Sequence, residues 1–201
     1  VKLIKEKLNV NGIDYKNVFI TSGAQQGLNY LAKGLLEEND VIVCESPTYV
    51  GAIDSIRSYN PRIISVPMQN DGLDMNALEA VLKENKVKLI YTIPDFQNPT
   101  GRSMSIEKRK KLVALAEKYN TIVYEDSPYS LISFNGKIMP AVKSFDTNDR
   151  GVYAGSFSKT IAPGIRAGWI VADHDSITKL VYMKMRDDLQ VNNIAQRQVY
   201  G

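Results

Sequence analysis

Gly151-Val152-Tyr153-Ala154-Gly155-Ser156 and Gly168-Trp169-Ile170-Val171-Ala172, joined by Phe157-Ser158-Lys159-Thr160-Ile161-Ala162-Pro163-Gly164-Ile165-Arg166-Ala167, form the stretch that decides how this chain is built. The two flanking runs are short and largely apolar, which predicts strands. The loop between them, 157–167, has eleven residues. A parallel crossover usually takes about a dozen residues or more, commonly with a helix. This loop is shorter, contains Pro163 and Gly164, and lacks a helical pattern. The strand from Gly168 is therefore expected to run antiparallel to the strand ending at Ser156.

Outward from that pair, further strand-like runs occur at Asn17 to Thr21, Asp40 to Cys44, Arg62 to Val66, Lys88 to Ile93 and Thr121 to Glu125. They are rich in Val and Ile and mostly apolar throughout, the pattern of a sheet buried on both faces. Helical patterns alternate with them at Gln25 to Leu36, Asp74 to Asn85, Ser105 to Tyr119 and Ser176 to Leu189. Ser105 is placed as an N-cap, without the full capping box because Lys108 stands three residues on. Alternation of this kind predicts an α/β fold of three layers, α/β/α, with a mostly parallel seven-stranded sheet and one antiparallel strand. No internal repeat, low-complexity segment or clear linker interrupts it.

Composition sets the bounds. The 201 residues are 44% hydrophobic and 23% charged, the balance of an ordinary globular domain. A net charge of +3 gives no electrostatic case for nucleic acid. The one basic run, Lys108-Arg109-Lys110-Lys111, falls on a helical pattern and reads as a solvated face. Cys44 is the single cysteine and reads as a small buried hydrophobe; no intrachain disulfide can form, which fits a reducing compartment. His174, between Asp173 and Asp175, reads as exposed and without a metal role. No apolar run is long enough to cross a membrane. Val1 to Val10 mix charged and apolar residues and do not form a signal peptide. The chain begins within a helical pattern, without an initiator methionine, and stops just after another. It is expected to be a piece of a longer protein.

The chemistry gathers at strand ends. Ser156, Ser158 and Arg166 suit a phosphate. Lys159 beside them suits a Schiff base with an aldehyde. Pyridoxal 5'-phosphate carries both groups. Taken alone, this loop is equally a polar turn, because a lysine is far more often a solvated surface charge. Four other segments each offer a further part. Thr21-Ser22-Gly23-Ala24-Gln25-Gln26-Gly27 joins strand to helix, and a helix N-terminus attracts anions; it is also a plain strand-to-helix turn. Glu45-Ser46-Pro47-Thr48-Tyr49 brings an aromatic to the sheet edge where ligands of open α/β sheets bind, or a tyrosine that packs on a helix. Ile93-Pro94-Asp95-Phe96-Gln97-Asn98-Pro99-Thr100-Gly101 offers the Asn98 amide, or a generic turn. Val123-Tyr124-Glu125-Asp126-Ser127-Pro128-Tyr129 offers a carboxylate for a pyridine nitrogen, or a turn cap. All five segments follow apolar strands, and in a parallel sheet those ends lie along one edge, so the pieces converge.

With these residues in view, the chain resembles the fold-type I PLP-dependent aminotransferases of class I and II, in particular the 2-aminoadipate and kynurenine aminotransferase-like group. The resemblance covers nearly all of residues 1–201 and implies the large cofactor-binding domain, with an N-terminal segment and a C-terminal small domain absent. It implies that Lys159 is the Schiff-base lysine. Ala24 and Gln25 would hold the phosphate through their backbone, with the Gln25 side chain available to join. Ser156, Ser158 and Arg166 would complete that cup. Tyr49 would stack on the ring, Asp126 would pair with its nitrogen, and Asn98 and Tyr129 would hydrogen-bond its phenolic oxygen. The implied activity is amino-group transfer between an amino acid and a 2-oxo acid, with Lys159 and Asp126 catalytic, in a cytoplasmic homodimer. A chain lacking the small domain is expected to hold the cofactor weakly and not to turn over. Two other readings share the scaffold. One is the effector domain of a GntR/MocR-type transcription regulator, which would bind nucleic acid through a winged-helix module upstream; such regulators often carry a histidine where this chain has Asp95-Phe96-Gln97-Asn98. The other is a carbon–sulfur lyase. Side-chain specificity for the substrate is not legible in these residues.

Overall fold

Val- and Ile-rich runs and amphipathic helices alternate along the chain, and a computed structural model, which describes residues 2–8, 13–134 and 136–200, places them in three layers. In chain order the elements are α1 (Lys2–Leu8), β1 (Val18–Thr21), α2 (Ala24–Leu35), β2 (Val41–Ser46), α3 (Val50–Arg57), β3 (Arg62–Gln69), β4 (Gly72–Leu73), α4 (Met75–Glu84), β5 (Val87–Thr92), α5 (Ile106–Lys118), β6 (Ile122–Asp126), β7 (Gly151–Ser156), β8 (Gly168–Val171), α6 (His174–Asp187) and α7 (Asn193–Tyr200). Residues 1, 9–12, 135 and 201 lie outside the described part, so the reading of Val1 to Val10 is met by structure only over α1.

One sheet runs through the molecule in the order β1-β8-β7-β6-β5-β2-β3-β4. Strands β3, β2, β5, β6 and β7 are parallel neighbours. The short loop after β7 has the consequence expected of it: β8 returns antiparallel, with Ser156 opposite Gly168. β1 pairs antiparallel with β8 and so points the same way as β7. All seven expected strands are present. An eighth, β4, corrects the count. It closes a hairpin on β3, antiparallel, with Met68 opposite Leu73 and Gln69 opposite Gly72. Two residues are too few to make an apolar run, so no periodicity marks them.

Pleating sorts the strand residues between two cores. Ile42, Cys44, Leu89, Tyr91, Tyr124 and Ala154 face α2, α3 and α6, against Leu28, Leu31, Ile56, Ile177 and Leu180. Val43, Val66, Ile90 and Val123 face α4 and α5, against Leu78, Leu82, Leu112 and Leu115. Neighbouring residues thus bury on opposite faces, which is why these strands lack polar alternation. The starts of α4, α5 and α6 are set by side-chain caps. Asp74 accepts from the N–H groups of Asn76 and Ala77, Ser105 from Lys108, and Asp173 from Ser176. The Asp173 cap moves the start of α6 to His174, ahead of the expected Ser176, and His174 is exposed there. α3 was not expected from the sequence; it buries Ala52 and Ile56 beside the cleft.

The basic run on α5 requires a correction. Lys110 and Lys111 are exposed, but Arg109 is 0% exposed. It lies three residues before Leu112, on the inner face of α5. Its guanidinium pairs with Asp95 at 2.5 Å and also donates to the carbonyls of Pro94, Met104 and Pro140. Those bonds anchor the loop that follows β5. Arg109→Met is expected to leave the Asp95 carboxylate buried without its cation and to cost about 3–5 kcal/mol. Urea unfolding monitored by circular dichroism checks it; a loss below about 1 kcal/mol would show that Asp95 finds water instead.

Candidate active site

Thr21, Ser46, Thr92, Asp126 and Ser156 close β1, β2, β5, β6 and β7, five strands of one direction, so the loops after them open on one edge of the sheet. There they enclose a cavity of about 360 Å³. All ten residues singled out in the sequence line it: Ala24, Gln25, Tyr49, Asn98, Asp126, Tyr129, Ser156, Ser158, Lys159 and Arg166. Leu28, Ile93, Pro128 and Pro163 supply apolar wall between them.

One end of the cavity is built for an anion. Gly23, at φ 88°, is the N-cap of α2, and no side chain caps that terminus. A Cβ on Gly23 would run into the Arg166 guanidinium, and one on Gly168 would lie 2.8–2.9 Å from the Gly23 carbonyl carbon and Ala24 N. Backbone at those two positions can therefore close up only around glycine. Arg166, itself left-handed at φ 51°, donates to Ser22 O at 3.0 Å, Pro163 O at 3.2 Å and Ser158 Oγ at 3.4 Å. Ser156 Oγ donates to Ser158 Oγ at 2.9 Å. A helix N-terminus, two hydroxyls and a guanidinium thus meet within one cradle, a donor set that fits a phosphate. The Gln25 side chain does not join it. Its amide donates to Ser55 Oγ at 2.6 Å and Gly51 O at 3.0 Å, leaving the backbone of Gln25 to face the cradle.

The other end is built around a buried carboxyl. Asp126 accepts from the Tyr91 hydroxyl at 2.6 Å through Oδ2, while its Oδ1 is buried with no hydrogen-bond partner. Burial pushes the Asp126 carboxyl up to about 6 against the opposing pull of Tyr91. A positively charged N–H donor placed at Oδ1 would satisfy that oxygen and restore the charge, so the site fits a protonated ring nitrogen. Tyr91 lies stacked beside Tyr124 at 5.9 Å. Tyr129 is raised above the usual phenol value by burial and by Asp126, against the opposing pull of the neighbouring Asn98 side chain. Asn98 and Tyr129 are thus together, as expected. Tyr49 precedes α3 on the wall. Lys159 is exposed, on the loop after β7.

Two positioning residues carried no role in the sequence reading. Glu45, buried at the end of β2, accepts from Thr92 Oγ1 at 2.5 Å, Ile93 N at 3.1 Å and Gln97 Nε2 at 2.9 Å. Gln97 also donates to Pro47 O at 2.9 Å, so this network ties the Tyr49 loop to the Asn98 loop. Tyr91 is the other. Glu45 opens a segment already singled out, and Tyr91 precedes another on β5, opposite Tyr124 of β6; strand register is what joins them to the site.

Burial raises three carboxyls together: Glu45 and Glu125 to about 7, Asp126 to about 6. A raised carboxyl holds its proton more tightly folded than unfolded. Its contribution to stability therefore falls as pH rises from the ordinary carboxylate value to the folded one. The lowered carboxyls, such as Asp146 beside Lys143, act oppositely but below the ordinary carboxylate value. The cofactor-free protein is expected to melt at a lower temperature at about pH 8 than at about pH 5.5. Calorimetry across that range checks it, and a melting point that rises instead would refute it.

An open, mostly parallel sheet with an anion-fitting cradle and a buried, partly unpartnered carboxyl along its C-terminal edge defines an α/β ligand-binding domain. The chain belongs to the aminotransferase class I and II family, whose model matches residues 2–197. It is 38% identical to aromatic-amino-acid aminotransferase 1 of Thermococcus litoralis over 185 residues, 90% of this chain and 44% of that protein. It is 35% identical to the HTH-type transcriptional regulator NorG of Staphylococcus aureus, over 98% of this chain and 45% of the regulator. A crystal structure of Pyrococcus horikoshii kynurenine aminotransferase superposes with a TM-score of 0.92 at 37% identity, covering 97% of this chain and 49% of that one. The chain thus spans about half the length of these relatives. Among the described residues no helix is long and apolar enough to cross a membrane.

Proposed function

We propose that residues 1–201 are the large cofactor-binding domain of a pyridoxal 5'-phosphate-dependent aminotransferase, which moves an amino group between an amino acid and a 2-oxo acid. The observation that carries the reading is the buried, unpartnered Oδ1 of Asp126 in the same cavity as the phosphate cradle and Lys159. Pyridoxal 5'-phosphate, when bound, supplies an aldehyde that condenses with amines and a protonated ring that draws electrons from the carbon being deprotonated. Ala24 and Gln25 through their backbone, with Ser156, Ser158 and Arg166, would hold the phosphate. Tyr49 would cover the ring face, and Asn98 with Tyr129 would hold the phenolic oxygen. Asp126 keeps the ring nitrogen protonated. Lys159, the one lysine among the described residues that line the cavity, would bind the aldehyde carbon covalently and, once displaced by the substrate amine, would carry the proton from the substrate Cα to that former aldehyde carbon. Homodimer formation, a cytoplasmic location and the need for a small domain for turnover belong to the same proposal.

The identity to NorG over 98% of this chain supports a second reading, the effector domain of a DNA-binding regulator. The two separate on one assay: the complete protein incubated with the cofactor and a panel of amino acids releases 2-oxo acids if it is an aminotransferase. Binding without any 2-oxo acid, together with a basic winged-helix segment upstream of Val1, would favour the regulator and reject the enzyme.

A further inference from the structure

The turn that opens the phosphate cradle is held from behind as well as from within. The Ser22 N–H donates to Gln26 Oε1 at 2.8 Å, and the Ser22 carbonyl accepts from Arg166 at 3.0 Å. Gln26 lies one residue beyond Gln25, half-buried and outside the cavity wall. Its Oε1 also accepts from Lys184 Nζ at 3.2 Å, and its Nε2 donates to Asp188 Oδ2 at 2.8 Å. Lys184 and Asp188 pair at 2.5 Å, and Lys184 is only 5% exposed, with Nζ 5.9 Å above the Tyr30 ring. These partners fix the orientation of the Gln26 amide. Flipped, it would set an NH₂ against both the Ser22 N–H and the Lys184 ammonium, and an oxygen against the Asp188 carboxylate.

We infer that Gln26, locked by Lys184 and Asp188 at the C-terminal end of α6, is a positioning residue that fixes the Ser22-Gly23-Ala24 turn for the cofactor phosphate. The placement of α6 thereby reaches the anion cradle through two side chains and one amide. This inference rests on the cofactor reading above. A residue that merely joins α2 to α6 would affect every ligand of the cavity alike. A residue that sets the turn affects ligands with a phosphate and spares those without one.

The test is the equilibrium affinity of the protein for pyridoxal 5'-phosphate and for pyridoxal, which lacks the phosphate. Gln26→Leu is expected to weaken the phosphorylated ligand about tenfold, the scale of one lost hydrogen bond to a group that meets charge, and pyridoxal less than about twofold. The double variant Gln26→Glu/Asp188→Asn moves the carboxylate across the pair. It keeps an acceptor for the Ser22 N–H and an ion pair for Lys184, and should recover affinity to within about threefold. Equal weakening of both ligands, no weakening of either, or no recovery in the double variant overturns the inference. Failure of the unaltered protein to form a borohydride-fixed adduct at Lys159 overturns instead the cofactor reading on which it stands.

Discussion

Lys159→Ala is expected to abolish the yellow absorption of the protein mixed with pyridoxal 5'-phosphate, and with it any cofactor mass fixed by borohydride. Among the described residues Lys159 is the one lysine lining the cavity, so no other amine of that wall can replace it. Its loop is placed by Ser156, whose hydroxyl donates to the Ser158 hydroxyl and accepts from the Ser158 N–H, rather than by Lys159 itself. Lys159 is exposed, so its removal leaves the core and the cradle intact. The variant should fold as before and still bind the cofactor through Arg166, the serines and the start of α2, but without covalent capture. Amino-group transfer by the complete protein should fall by at least about 10⁴-fold, since nucleophile and proton carrier are lost together. A visible band of equal strength in the variant, or an adduct on another lysine, would remove Lys159 from its assigned place.

How much of this was legible in the sequence follows from the kind of signal each feature carries. The reversal of β8 was legible because loop length is a hard constraint, and 157–167 is too short for a helical crossover. The convergence of Ala24, Tyr49, Asn98, Asp126 and Lys159 was legible because strand direction puts the loops of a parallel sheet on one edge. β4 was not, because two residues have no period. Arg109 was misread because charge runs were weighed by composition, while helical phase sets which member of a run faces inward. The Gln25 side chain turns to Ser55 and Gly51, partners on the unforeseen α3, so its direction could not be known without that helix. Tyr91 and Glu45 act through residues adjacent in the sheet but distant along the chain. Register, which a single sequence leaves open, is what joins them to the site.

Asp126→Asn separates function from stability in opposite directions. In the cofactor-free protein, Asp126 is a buried carboxyl with one oxygen unpaired, raised to about 6, and so carries an unfavourable charge at neutral pH. An amide of the same shape keeps the acceptor for Tyr91 and removes that charge, though its NH₂ then stands where Oδ1 was unpartnered. The net gain in stability above about pH 7 is expected to be on the order of 1 kcal/mol, and it should vanish below about pH 5, where the parent carboxyl is protonated as well. Activity should move the other way. A neutral amide cannot hold a proton on the ring nitrogen, so the charge developing at the substrate carbon loses its sink. Amino-group transfer should drop by roughly 10²–10⁴-fold, the range seen when a preorganised electrostatic partner is removed. Melting curves at two pH values, with single-turnover rates on the same preparations, read both effects. A variant that is less stable at neutral pH, or that keeps the parent rate, would show that Asp126 serves the fold and not the ring.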